Sequence, residues 1–264
     1  MISEVSRNSD TVSTRMTVFD KFAFEPRKLG FVIIGVILLI IGFNTIRNAR
    51  IDALARAAMD KKPDPAVVKK LASYSGVRAP ELLLLVAASA PAQENRIAAM
   101  RELVDKKATP LVSRLSELLV PPESLAVRKE VADALYKTGC SPECVKNVLY
   151  FQESMWHGAR PSEDTQTEPP KTLSESEKQL QTALDAVLKK NKPAVGLVLA
   201  KVYALATDFP SPFAVETVQR LELKEACPLL MHTYLSVNDR VRASPEYRNV
   251  VEAVNTLQCT GLRR

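Results

Sequence analysis

The sequence predicts an all-α protein, in which an N-terminal transmembrane helix is followed by an α-solenoid-like stack of helical hairpins. Three observations lead to this fold class. The 264 residues include only 8 Gly, so long segments rich in Ala, Leu, Val, Glu and Lys run uninterrupted, which favours helices. One apolar run near the N-terminus is long enough to cross a bilayer. A residue pattern then recurs at a spacing typical of helical repeats.

The composition is that of a folded protein without a nucleic-acid partner. Hydrophobic residues make up 46% of the chain and charged residues 25%, which are ordinary values for a globular domain. The net charge is +6, but Lys and Arg alternate with Asp and Glu almost everywhere. Because no basic stretch is interleaved with aromatic residues, the charge does not form the pattern that follows a phosphate backbone.

The segment from Leu29 to Ile46 is the strongest signal in the chain. It holds about 18 residues, which is close to the length that crosses the hydrocarbon core as a helix. Basic residues flank both ends and can reach the lipid headgroups. We expect a tail over residues 1–28, a transmembrane helix over 29–46 and a helical continuation to about residue 62. The residues expected to face lipid are Leu29, Phe31, Ile34, Leu38, Ile41 and Phe43.

Two other interpretations of this segment fit the sequence less well. A cleaved signal peptide would have a short basic leader and a small-residue cleavage site directly after the apolar run. Here the leader is long and contains acidic residues, and the nearest A-x-A motif, Ala53 to Ala55, lies beyond Arg47 and Arg50. A buried core helix would show a polar face. The segment is therefore interpreted as a retained single-pass anchor, with membrane lipid as its partner.

The orientation of this anchor is less strongly specified. Lys and Arg residues are nearly balanced on its two sides and lean slightly toward a cytoplasmic C-terminal body. Long domains, however, translocate largely regardless of charge, and a short tail before a single anchor usually stays inside. We expect an extracytoplasmic body, with a cytoplasmic body as the alternative.

Beyond the anchor, the chain divides into two helical blocks. Residues 63–157 consist of short periodic segments separated by turn residues, and the first begins at Asp64-Pro65, where Asp is a suitable N-cap. Residues 158–171 are rich in Pro, Ser, Thr, Glu and Asp and are expected to be a flexible linker. Residues 172–264 form a second block, whose first helix combines an apolar face with basic C-terminal residues.

An internal repeat is visible in the first block. The segment from Arg96 to Leu103 aligns with the segment from Arg128 to Leu135, 32 positions later. A further helical segment lies between them, so each period contains two helices, as in α-solenoids. The residues expected to form the repeat core are Val127, Arg128, Val131 and Leu135.

Residues Thr109 to Gly139 resemble a HEAT-like repeat of the phycobilisome-lyase type. Val127-Arg128 and Ala134-Leu135 stand at the places where the inner helix of that repeat carries Val-Arg and Ala-Leu. The resemblance covers about residues 93–156 and implies an outer and an inner helix in each repeat. The turn between the helices lacks the Asp of the family and has Pro121, Pro122 and Glu123 instead. The Asp–Arg ladder that links such repeats is therefore not carried over.

The four cysteines, Cys140, Cys144, Cys227 and Cys259, allow several interpretations. A metal site would need two more ligands than Cys140 and Cys144 provide, and redox pairs usually have the shorter spacing C-x-x-C. Ser141 is a suitable N-cap, which places both sulfurs near the start of one helix. One interpretation is two disulfides, Cys140–Cys144 and Cys227–Cys259, of which the first pair is the more strongly indicated because its cysteines are close in sequence. The alternative is four reduced thiols in a cytoplasmic body.

The sequence contains no recognisable catalytic constellation. Phosphate-binding loops, nucleophile elbows and zinc-protease motifs are absent, and His157 and His232 are far apart in sequence. We therefore expect a protein that is not an enzyme and has no cofactor. The predicted function is that of a membrane-anchored scaffold or adaptor that binds another protein. The alternative is an accessory structural subunit of a multi-subunit membrane complex, and the oligomeric state is left open.

Overall fold

The computed structural model describes residues 26–120, 122–159, 173–203, 205, 210–236, 242 and 244–259, and the regular structure in these ranges is helical throughout. Most of the predicted tail and linker therefore lies outside the described residues. The helices are α1 Pro26–Ala58, α2 Pro65–Ala72, α3 Arg78–Ser89, α4 Gln93–Asp105, α5 Thr109–Arg114 with a 3-10 continuation Leu115–Leu119, α6 Leu125–Thr138, α7 Pro142–Ala159, α8 Glu175–Lys190, α9 Lys192–Val202, α10 Pro212–Arg220, a 3-10 turn Lys224–Ala226, α11 Cys227–Ser236 and α12 Pro245–Thr256.

The chain forms two compact units, one ending at Arg50 and the other beginning at Ile51. In the first unit, the side chains of α1 from Ile34 onward are apolar over several turns and exposed, as in Leu39 (74%) and Phe43 (68%). A helix that is apolar on all sides and exposed is suited to hydrocarbon rather than to water. Of the described helices, α1 alone is long and apolar enough to cross a membrane.

Helix α1 ends at Ala58 rather than near residue 62. The amide of Lys61 donates to the Asp60 side chain at 2.7 Å, which offers this amide an alternative to a helical bond. Pro63 follows, and a proline disfavours helical backbone in the residue before it. The predicted continuation is therefore about one turn too long.

Helices α2 to α9 pack in two rows. In one row α2 contacts α4, α4 contacts α6, and α6 contacts α8. In the other, α3 contacts α5 and its 3-10 continuation, this continuation contacts α7, and α7 contacts α9. Contacts between the rows, such as α3 with α4 and α7 with α8, enclose the apolar core.

The second helical block shares this core with the first. Helices α8 and α9, which follow the predicted linker, pack on α6 and α7 of the first block. Helix α12 packs on α10 and α11, and the 3-10 turn that precedes α11 contacts α9. Both blocks belong to the compact unit that begins at Ile51.

The predicted repeat core lies in α6. Val127, Val131 and Leu135 are buried, and the helix begins where the Ser124 hydroxyl accepts a hydrogen bond from the Val127 amide at 3.3 Å. It ends at Thr138 and is followed by Gly139, whose φ of +94° strongly favours glycine. Ala99 and Leu103 stand 32 positions before Val131 and Leu135 and are also fully buried.

Candidate interaction surface

A groove runs between α2 and α4. It encloses about 460 Å³, and the part of its lining that is apolar comes from Pro65, Ile97 and Ala98. Charges of both signs stand on the same two helices and complete the lining: Lys69, Glu94, Arg101 and Glu102. Such a combination can take an apolar side chain of a ligand and pair with charges beside it.

A buried asparagine sets the position of α2 against α4. Asn95 is fully buried, and its side-chain oxygen accepts a hydrogen bond from the Asp64 amide at 2.7 Å. Its amide nitrogen donates to the carbonyl oxygen of Ala58 at 3.0 Å. Asp64 in turn caps α2, because its side chain accepts from the Val67 amide. One side chain on α4 thus holds the last turn of α1 and the start of α2.

An ion pair joins α4 to the turn before α6. Arg96 Nη1 lies 2.6 Å from Glu123 Oε2, and both side chains are largely buried. Arg96 Nε also donates to the carbonyl oxygen of Ala87 at 2.9 Å. The sequence did not predict this contact, because the turn lacks the Asp of HEAT-like repeats. Glu123 has one methylene more than Asp and provides the carboxylate from the same turn.

A second pair links α4 to α6 on the surface. Arg101 donates from Nε and Nη2 to the two carboxylate oxygens of Glu130 at 2.9 and 2.8 Å. The hydrogen bond to Glu130, and then its charge, raise the pKa of Arg101 above its ordinary value. Since Arg101 also lines the groove, this pair helps to fix the position of a charge at its edge.

Arg128, the charged member of the predicted repeat core, makes a different contact from Arg96. Its guanidinium carbon lies 5.4 Å from the ring centroid of Phe151 on α7. Its Nε is buried and has no hydrogen-bond partner. Arg128 therefore packs on an aromatic ring between the two rows.

Aromatic rings meet where α7, α9 and α10 come together. Tyr203 lies 6.0 Å from Tyr150 and 5.5 Å from Phe213, and Trp156 lies 6.1 Å from Phe213, measured between ring centroids. The Trp156 indole donates to Glu216 at 2.7 Å.

Tyr203 also has a polar partner on α7. Its hydroxyl donates to Glu153 at 3.0 Å. Burial, and then the charge of Glu153, raise the pKa of Tyr203. This hydroxyl therefore stays protonated and joins α7 to the end of α9 as a hydrogen-bond donor.

A polar cluster joins α7, α8 and α10. Gln152 donates to Asp185 Oδ1 at 2.7 Å, and Arg220 Nη1 lies 3.1 Å from the same oxygen. Burial raises the pKa of the Asp185 carboxyl, and the charge of Arg220 opposes that rise without cancelling it. The cluster holds the second block against the first.

The cysteines are paired as Cys140–Cys144 and Cys227–Cys259, with Cα–Cα distances of 5.4 and 5.3 Å. The first disulfide lies at the start of α7, and the second joins the start of α11 to the residues after α12. Among the described residues, no three His, Cys, Asp or Glu side chains are grouped to hold a metal.

The predicted anchor residues lie on α1. Leu29 and Phe31 belong to this helix, but their side chains lie outside the description. The side chains of Ile34, Leu38, Ile41 and Phe43 are exposed.

Protein-family models, curated proteins and solved structures gave no match to this chain.

The groove and the aromatic cluster were not predicted from the sequence. Both depend on helices that are brought together only by tertiary packing, such as those of Trp156 and Glu216, which are 60 residues apart. Glu123 carried a usable signal, because it is a carboxylate in the short turn before α6.

Proposed function

We propose that this protein is a membrane-anchored helical-repeat scaffold that binds another protein and has no catalytic role of its own. The observation that carries this proposal is the groove between α2 and α4, where Ile97 and Ala98 lie among charges of both signs. A partner segment with one apolar anchor residue and flanking charges suits such a groove.

The body is, in this proposal, a HEAT-like α-solenoid. Three features support it: the two rows of alternating helices, the buried positions that recur after 32 residues, and the Arg96–Glu123 pair in place of an Asp–Arg contact. Solenoid surfaces are extended and commonly serve as binding surfaces for other proteins.

The proposed location is a membrane, with the body on the extracytoplasmic side. The exposed apolar side chains of α1 support the anchor. The two disulfides support an extracytoplasmic position of the body, because disulfides persist outside the reducing cytosol.

The test is a pull-down of the tagged full-length chain in mild detergent. Ile97→Asp places a charge among the apolar lining and should abolish capture of the partner. Leu235→Asp is the matched control, since Leu235 is an exposed leucine on α11, and this variant should retain the partner. Equal capture of the partner by both variants would show that the groove is not its binding site.

The alternative, an accessory subunit of a membrane complex, has one observation in its favour. Gly35 and Gly42 lie on α1, and a Cβ atom added to either glycine would have no neighbouring atom within 4 Å. This helix therefore has room for the close approach of another helix. In that case the partner should be lost when only residues 29–46 are exchanged for an unrelated apolar segment, which keeps the core residues of α1, and retained in Ile97→Asp.

A further inference from the structure

We infer that the Cys140–Cys144 disulfide is a thiol–disulfide exchange site, which accepts electrons from a dithiol of another protein. Four features of the first turn of α7 carry this inference: the short separation of the cysteines, the redundant support of the turn, the unequal exposure of the two cysteine residues and the position of Cys144. They are independent of the proposed scaffold function.

The bond contributes little to holding the fold together. The two cysteines are 4 positions apart, whereas Cys227 and Cys259 are 32 apart, and a shorter loop constrains the unfolded chain less. The turn also has other support. The Cys144 amide donates to the Ser141 hydroxyl at 3.2 Å, and the Ser141 amide donates to Ser113 at 3.4 Å. Opening this disulfide therefore leaves the start of α7 in place.

The two cysteine residues differ in exposure. Cys140 is partly exposed, whereas Cys144 is only 1% exposed. An incoming thiolate therefore reaches Cys140 first. Attack forms a new S–S bond to Cys140, breaks the bond to Cys144 and releases Cys144 as a thiolate, which then takes up a proton from solvent.

The position of Cys144 favours this release. It lies in the first turn of α7, an 18-residue helix, and the positive end of a helix stabilises a thiolate. Glu143 opposes this effect, but its side chain is exposed and pairs with Lys146 at 3.3 Å. A cysteine whose thiolate is stabilised is the better leaving group. The second thiol of the partner then attacks the partner sulfur that is bonded to Cys140. This forms a disulfide within the partner and releases Cys140. The partner ends oxidised and the pair reduced, by two electrons.

The other disulfide lacks this arrangement. Cys227 is the more exposed residue of this pair, and attack there would expel Cys259, which lies just beyond the C-terminal end of α12. The negative end of a helix disfavours a thiolate. Attack on Cys259 is hindered, because this residue is buried. The Cys227–Cys259 bond is therefore an internal control within the same molecule.

The first experiment treats the native full-length chain in mild detergent with reduced glutathione, stops the reaction with acid and alkylates the freed thiols. Peptide mass spectrometry then gives the reduction rate of each pair. Cys140–Cys144 should open about tenfold faster than Cys227–Cys259, or more. Equal rates, faster opening of Cys227–Cys259, or four alkylated cysteines before any reductant is added would overturn the inference.

The second experiment compares Cys144→Ser with Cys140→Ser, each treated with oxidised glutathione. Both variants lose the same bond, so a folding defect caused by that loss affects them alike. Cys140 in the first variant should form a mixed disulfide readily, whereas Cys144 in the second should react at least about tenfold more slowly, because it is buried. Equal reactivity of the two thiols contradicts the order of attack proposed here.

Discussion

At the scale of single residues, the Arg96–Glu123 pair makes a sharp prediction. Both side chains are largely buried and their charges are 2.6 Å apart. The Arg96 Nη2 group is buried and has no hydrogen-bond partner in the wild type. Glu123→Ala also removes the carboxylate that pairs with Nη1. Removing one member of a buried pair costs about 3 kcal/mol. We expect the free energy of unfolding to fall by about that amount, measured by urea denaturation in mild detergent.

The control for this prediction is Asp52→Ala. Asp52 pairs with Arg78 at 2.6 Å, but the two side chains are 37% and 51% exposed. Water therefore screens the pair, and its loss should cost less than about 1 kcal/mol. A loss for Glu123→Ala no larger than that for Asp52→Ala would show that the buried pair does not hold the turn to α4.

Asp185 predicts a dependence of stability on pH. Burial raises its pKa in the folded protein above the ordinary value of 3.8, even though Arg220 lies beside it. The folded state therefore binds this proton more tightly than the unfolded state does. The contribution of Asp185 to stability should fall as pH rises from about 3.8 to the raised pKa, and should be constant above it.

Thermal melts of the wild type and of Asp185→Asn across acidic pH test this. The melting temperature of the wild type minus that of the variant should decrease as the pH rises through that window. A difference that instead increases with pH would mean that the ion pair with Arg220 lowers the pKa of Asp185 below its ordinary value.

At the scale of helices, local signals in the sequence placed several boundaries. Asp64 before Pro65 predicted the start of α2, and the Asp64 side chain caps that helix. Helix α8 begins at Glu175 after the N-cap Ser174, and its capping box with Glu177 is a local signal of the same kind, although it was not predicted. These boundaries depend on residues within one turn of each other. The packing of α6 on α8 depends on residues about fifty positions apart, such as Lys129 and Gln179, and no local pattern specifies such a contact.

Leu135→Asp should unfold the body of the protein. Leu135 is fully buried in α6, and α6 packs against α4 and α8. A charge placed there has no partner among apolar neighbours and costs several kcal/mol, about 4 or more. We expect loss of the cooperative thermal transition followed by circular dichroism at 222 nm.

The matched control lies on the same helix. Leu125→Asp changes a leucine that is 36% exposed at the first position of α6, where an acidic residue favours the helix. Its free energy of unfolding should stay within about 1 kcal/mol of the wild type. A Leu135→Asp protein as stable as this control would show that the repeat register is wrong.

At the scale of the whole molecule, the compact unit that begins at Ile51 makes use of the last part of α1. Ile51, Ala55 and Ala58 are buried in its core, with helical spacing of four and three residues. The sequence predicted a helix that continues beyond the anchor, but it did not show that these residues belong to the core of the body. The other residues of this core come from later segments of the chain. In the sequence, the three residues therefore read only as a continuation of the apolar run that precedes them.

Deleting residues 1–46 should therefore give a soluble, folded helical protein, because the exposed apolar side chains of α1 are removed and the three core residues are kept. Deleting residues 1–62 removes Ile51, Ala55 and Ala58 as well. Loss of a buried aliphatic side chain costs about 2–5 kcal/mol, and Asn95 also loses its acceptor at Ala58. The longer deletion should therefore melt at a lower temperature or aggregate.

Size-exclusion chromatography and thermal melts of the two deletion proteins, made without detergent, measure this difference. If the protein without residues 1–46 is insoluble, or if the two deletion proteins are equally stable, α1 is not divided between an anchor and a core segment. Release of the full-length protein from membranes by carbonate would contradict the anchor itself.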